Sequence, residues 1–191
     1  MPKKPQAPRA MYQLKIVLLG SKPSIWRRIL VPGQVKLSRL HDILQIVMGW
    51  TNSHLHQFHA ESGIYCLNVE DNFGDLEKHD ERRFSVADVV PREKTWFIYE
   101  YDFGDGWEHE VRVEKILPGE IGERTASCLQ GKNACPPEDC GGIPGYYRIL
   151  EITGNPQHSE HEELTAWLGS DFDPRHFDPE EINAALKRLK I

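Results

Sequence analysis

Imidazoles, thiols and carboxylates cluster at three points of this chain in spacings that suit chemistry. His54-x-His56 would set two imidazoles on one face of a β-strand, a way to hold a metal ion. Farther along, Asp102, Asp105, Glu108 and His109 crowd one short glycine-rich stretch, Tyr101-Asp102-Phe103-Gly104-Asp105-Gly106-Trp107-Glu108-His109. The third point is Glu138-Asp139, in a segment pinned by Pro136-Pro137 and Gly141-Gly142. If these three meet in space, they could bind a divalent or transition-metal cation, or an amine-bearing or peptide ligand. If they do not, they serve as turn glycines, capping carboxylates and core aromatics.

Thiols offer a second set of metal ligands. Cys128, Cys135 and Cys140 lack the short C-x-x-C knuckle of zinc modules, so zinc held by Cys128 and Cys135 with a histidine is the weaker metal reading. Buried free cysteine acting as a small hydrophobe is the competing one. Two other strings carry no chemistry. Asp102-Phe103-Gly104 has no accompanying kinase motifs, and Gly20-Ser21-Lys22 is not a phosphate-binding loop.

The elements that must position these residues follow from periodicity. Met11–Leu19 and Ile25–Val31 read as strands joined by a turn, with Arg27 and Arg28 on a solvated edge strand. Leu37, Leu40, Leu44 and Val47 recur at helical spacing, with Ser38 as a cap, Gly49 as a stop and His41 as a surface or capping group. His54–Glu61 and Ile64–Val69 read as a second strand pair, Glu70–Arg83 as an exposed loop, and Ser85–Val90 as a helical turn.

Thr95–Asp102 and Trp107–Val113 form a hairpin around Asp105-Gly106. A turn of two or four residues would bury Trp96, Ile98, Val111 and Val113 together and expose Glu108, Glu110 and Glu114. It would also set His109 opposite Asp102 or Glu100, whose charge would raise the imidazole pKa. From Gly119 to Gly142 periodicity disappears, and the stretch reads as a long loop. Helices are expected over Tyr146–Ile152, His158–Leu168 and Pro179–Leu189, each Phe-Asp-Pro tripeptide marking a helix start.

The 191-residue chain suits one sizeable core. A net charge of −6 and acidic C-terminal helices argue against a duplex-DNA partner. No apolar run approaches the roughly 18 residues of a membrane span, and the basic, proline-rich start lacks a secretory core. The expectation is a cytoplasmic protein with reduced thiols, whose partner is a protein or small-molecule ligand. Its architecture is a single α+β domain over 11–191, following a disordered basic tail at 1–10. A largely antiparallel sheet carries one packed helix, and 158–191 forms a helical cap.

Trp50 with Ser53-His54-Leu55-His56-Gln57-Phe58, then Tyr101 to His109, then Ala134-Cys135-Pro136-Pro137-Glu138-Asp139 with Gly141-Gly142 and Gly145-Tyr146, resemble the plasmid pRiA4b ORF-3-like family. The resemblance runs from about Met11 to Phe177 and implies the same α+β fold. Some relatives carry the label of a TnpR-type resolvase or transposon passenger protein. A serine recombinase, however, needs a nucleophilic serine among arginines and a basic reading helix, which this charge pattern does not provide. The leading expectation is a mobile-element-associated binding or accessory protein. The alternative is a metal-dependent hydrolase using the histidine–carboxylate cluster, with whether the protein is an enzyme left open.

Overall fold

Alternation of apolar and polar residues builds the first strand, Ala10–Leu18 (β1), in which Tyr12, Leu14, Ile16 and Leu18 are buried while Gln13, Lys15 and Val17 are not. The computed structural model describes residues 10–69, 77–119, 125–169 and 172–189; the expected N-terminal tail lies almost entirely outside them. Trp26–Pro32 (β2) pairs antiparallel with β1. The helix Leu37–Met48 (α1) buries Leu37, Leu40, Ile43, Leu44, Val47 and Met48, and Gly49 ends it in the left-handed region at φ 98°. Its N-cap is Lys36, without a side-chain bond, rather than the expected Ser38.

Short strands His56–Ala60 (β3), Gly63–Cys66 (β4) and Lys78–Asp80 (β5) precede a single helical turn, Val86–Val89 (α2), which Ser85 and Asp88 close with a reciprocal capping box. Trp96–Tyr101 (β6), Trp107–Pro118 (β7) and Ser127–Lys132 (β8) complete the sheet. Helices Gly142–Thr153 (α3), His161–Leu168 (α4) and Pro179–Leu186 (α5) follow. The strands form one sheet in the order β5-β4-β3-β6-β7-β1-β2-β8, antiparallel throughout except between β4 and β5. This is the expected α+β class.

One face of the sheet carries the core. Ile29 and Val31 of β2, Phe58 of β3, Phe97, Tyr99 and Tyr101 of β6, and Trp107, Val111 and Val113 of β7 join β1 and α1 in one apolar cluster. The other face is polar, as an antiparallel sheet solvated on one side should be. There Arg28 binds Glu114 through two nitrogens at 2.6 and 2.9 Å.

Several expectations need correcting. The central hairpin pairs Tyr101 with Trp107 and Tyr99 with His109, so five residues separate the strands. An odd loop reverses the parity of β6: Phe97, Tyr99 and Tyr101 face inward, and Trp96 is 49% exposed. Val111 and Val113 are buried as expected, and Glu108 is exposed. β2 is not an edge strand, because β8 forms beyond it inside the stretch read as loop. Within the expected loop of 70–83, residues 70–76 lie outside the described part, β5 forms at Lys78–Asp80, and Glu81 is buried. His41, expected as a surface or capping group, is also buried. Asp178 caps α5 through the amides of Glu180 and Glu181, whereas Asp173 begins only a turn.

Helix α5 shields the exposed edge. Asn183 Oδ1 accepts from the Cys128 amide at 2.7 Å, and its Nδ2 donates to the Cys128 carbonyl at 2.9 Å. The side-chain amide thus stands in for a ninth strand at this position.

Candidate functional site

Three loops at one end of the sheet bring the candidate residues together. The first leaves α1 and runs Trp50–Leu55 before β3. Its path is fixed by two polar side chains one turn apart on the buried face of α1. Gln45 Oε1 accepts from the Asn52 amide at 2.7 Å, and Gln45 Nε2 donates to the Tyr99 hydroxyl at 2.9 Å. That hydroxyl donates to His41 Nδ1 at 2.8 Å, and His41 Nε2 donates to Asn52 Oδ1 at 2.8 Å. Burial and the nearby His56 lower the His41 pKa to about 4, consistent with the neutral imidazole that this chain of bonds requires.

The second loop is the hairpin tip. Asp102 adopts φ 55°, a left-handed conformation that a short carboxylate side chain tolerates by bonding its own turn. Its Oδ1 accepts from the amides of Gly104 and Asp105 at 3.0 and 3.4 Å, leaving Oδ2 to face His54. The third loop runs from Ala134 to Gly142. Asp105 Oδ2 accepts from the Gly141 amide at 3.1 Å, and Gly142 approaches so closely that a Cβ there would stand 2.5 Å from the Asp105 carbonyl oxygen.

His54 Nε2 lies 3.1 Å from Asp139 Oδ1, 3.7 Å from Asp102 Oδ2 and 3.8 Å from Glu138 Oε2. That nitrogen is out of contact with solvent and makes no hydrogen bond, a state shared among the described residues only with Trp107 Nε1. The potential ligand atoms of His54, Asp102 and Asp139 all fall within 4.8 Å of one another. Glu138 is held beside them. Its Oε1 accepts from the Thr51 amide at 2.7 Å, the Thr51 hydroxyl at 3.0 Å and the Tyr101 hydroxyl at 3.1 Å. Tyr101 also accepts from the Ser53 amide, and burial with Glu138 nearby pushes its pKa up to about 12, so it remains a donor.

The other candidates lie elsewhere. Glu108 points to the polar face of the sheet, opposite Glu100. His56 does not share a face with His54, because β3 begins only at His56. Instead its Nε2 meets the buried Glu81 at 3.0 Å. Cys128 is buried on β8 and Cys135 sits beside Arg27, and neither joins a group of three or more ligands among the described residues. Burial raises both thiols above the ordinary cysteine range, which keeps them protonated.

His109 is fully buried opposite Tyr99, with no carboxylate partner among the described residues. Its Nδ1 donates to the Tyr99 carbonyl at 3.2 Å and its Nε2 accepts from the Trp50 indole at 3.4 Å. Burial lowers its pKa to about 4, the reverse of the expected rise, because desolvation acts with no anion to offset it. The supporting role of His41, Gln45, Asn52, Tyr99 and Tyr101 escaped the sequence reading, which placed His41 outside the core and quoted Tyr101 only within a motif. The spacing Leu37-His41-Gln45-Met48 puts His41 and Gln45 on the buried stripe of α1, which was the available signal.

Comparison with known proteins agrees with this architecture. The family model for plasmid pRiA4b ORF-3-like protein matches residues 10–181. A relative from Sinorhizobium fredii (strain NBRC 101917 / NGR234), "Uncharacterized protein y4hQ", is 38% identical over 182 residues, 94% of this chain and 92% of that one. The crystal structure of a protein of unknown function from Methanosarcina mazei Go1 superposes with a TM-score of 0.81 at 38% identity. That match covers 91% of this chain and 97% of the other. The chain therefore belongs to the plasmid pRiA4b ORF-3-like family.

Proposed function

We propose that this protein binds one divalent transition-metal ion between His54, Asp102 and Asp139, and acts as a metal-dependent binding or accessory protein. The observation that carries the reading is His54 Nε2, a solvent-excluded nitrogen with no hydrogen bond that faces carboxylates from two other loops. One imidazole and two carboxylates suit zinc, manganese or iron. The Glu138 carboxylate, already bonded to Thr51 and Tyr101, adds negative charge beside the ion. The plasmid in the family's name supports a mobile-element setting.

A second reading, hydrolysis, is favoured by the open side of the cluster. Three protein ligands leave positions for water, and the Asp139 side chain is 72% exposed. A bound ion would there lower the pKa of its water and supply a nucleophile.

Elemental analysis and titration calorimetry with zinc and manganese on the purified full chain test the site. One equivalent should bind. Asp102→Asn should weaken binding at least tenfold, because its Oδ1 can still hold the turn while Oδ2 is replaced. Glu108→Gln, on the far face, should change nothing. Absence of metal binding, or equal binding by Asp102→Asn, would overturn the reading. Metal-dependent turnover of simple esters or phosphoesters would establish the hydrolase.

A further inference from the structure

Arg27 and Arg28 are adjacent in β2 but are provided for in opposite ways. Arg28 on the polar face has Glu114. Arg27 on the core face is only 3% exposed, and no carboxylate of the described residues forms an ion pair with it. The titratable groups that act on its charge are the thiols of Cys135 and Cys128. Burial holds both protonated, so they bring no negative charge.

The chain satisfies part of this guanidinium with backbone oxygens. Nε donates to the Val47 carbonyl at 2.7 Å, at the negative end of α1, and Nη1 donates to the carbonyls of Trp26 and Lys132. Phe177 stacks on it with its centroid 5.0 Å away, a position that Gly131 permits, since a Cβ there would stand 2.4 Å from the ring. Nη2, with two N–H donors, makes no hydrogen bond to the described residues, and it is not one of the solvent-excluded unpaired nitrogens, so its donors remain open to solvent.

Arg27 also lines a cavity of about 240 Å³ between the end of α1, the segment at Ala134-Cys135 and α5. Ile46, Met48, Cys135, Phe177 and Ile182 supply apolar lining, and His176 lines it as well. Two carboxylates lie at the α5 side, each already engaged. Asp178 caps the helix, and Glu181 Oε2 lies 3.2 Å from His176 Nε2.

We infer that this cavity is a binding site for a small molecule bearing one carboxylate and a short apolar body, the carboxylate meeting Arg27 Nη2. A buried cation without an anion is costly, and a ligand carboxylate would supply the missing charge and the missing acceptor together. The apolar lining takes the body of the ligand. Asp178 and Glu181 disfavour a multiply charged phosphate in the same space.

The test uses full-length protein treated with chelator, so that no ion at the His54 cluster can attract the carboxylate. This keeps the result separate from the metal reading. Titration calorimetry should show saturable binding of hexanoate, with hexanamide at least tenfold weaker and inorganic phosphate unable to compete. Ile182→Trp fills the cavity while leaving residue 27 an arginine, and should abolish binding while the protein stays folded by circular dichroism. Arg27→Lys, if folded, should bind at least tenfold more weakly. No saturable binding of hexanoate would overturn the inference. So would equal binding of hexanamide, competition by phosphate, or undiminished affinity in Ile182→Trp.

Discussion

The imidazoles of His41 and His56 lie face to face, with ring centroids 3.5 Å apart and planes 5° from parallel. Stacked rings at that separation repel if both are charged. The stack is also anchored at both ends: His56 binds Glu81, and His41 links Tyr99 to Asn52. The charge state of a buried helix residue thereby bears on the loop that carries His54.

Acid should loosen the protein before its carboxylates titrate. His41 and His109 both have pKa values lowered from 6.5 to about 4 by burial. Between those values the unfolded chain binds more protons than the folded one. The stability is therefore complete above about pH 6.5 and is lost as pH falls toward 4. The loss should be on the order of 2 kcal/mol for each histidine between pH 7 and 5. Urea unfolding at the two pH values measures it, and His109→Gln should remove its share of the pH dependence. A wild-type midpoint that does not move over this range would contradict the buried neutral imidazoles.

Gly142→Ala should separate the hairpin tip from the start of α3. The new Cβ would stand 2.5 Å from the Asp105 carbonyl oxygen, at a residue whose φ is +67°. The expected cost is on the order of 2–3 kcal/mol, combining overpacking and left-handed strain. Gly106→Ala is the control. It has a similar φ of +66° but open space around it, so only about 1 kcal/mol is expected. Chemical denaturation of both variants decides the matter, and equal losses would mean that the close approach does not matter.

Asn183→Ala should uncover the outer edge of β8. Both backbone groups of Cys128 would lose their partners, at a cost of about 1–2 kcal/mol if water replaces them poorly. Hydrogen exchange at the Cys128 amide should accelerate in the variant while amides of β7 stay protected. Unchanged exchange at Cys128 would show that α5 does not seal that edge.

Much of the scaffold was legible because local physics fixes it. The helical stripe of α1 and its glycine stop, the single turn of α2, and Asp178-Pro179 opening α5 each depend on residues within a few positions. The alternation of β7 likewise placed Val111 and Val113 correctly. What sequence could not settle was parity and partnership. The five-residue tip depends on Asp102 taking a left-handed conformation, and that single extra residue turned β6 over and removed the carboxylate expected beside His109. The polar partners His56–Glu81 and His41–Tyr99 lie 25 and 58 residues apart, so no local pattern announces them. β8 lacked periodicity because its pairing with β2 and the Asn183 contacts supply what alternation usually signals. The meeting of His54, Asp102 and Asp139 is tertiary in the same way. Each loop shows its chemistry in the sequence, but only sheet order and the packing of Gly142 on Asp105 bring the three to within a few ångströms.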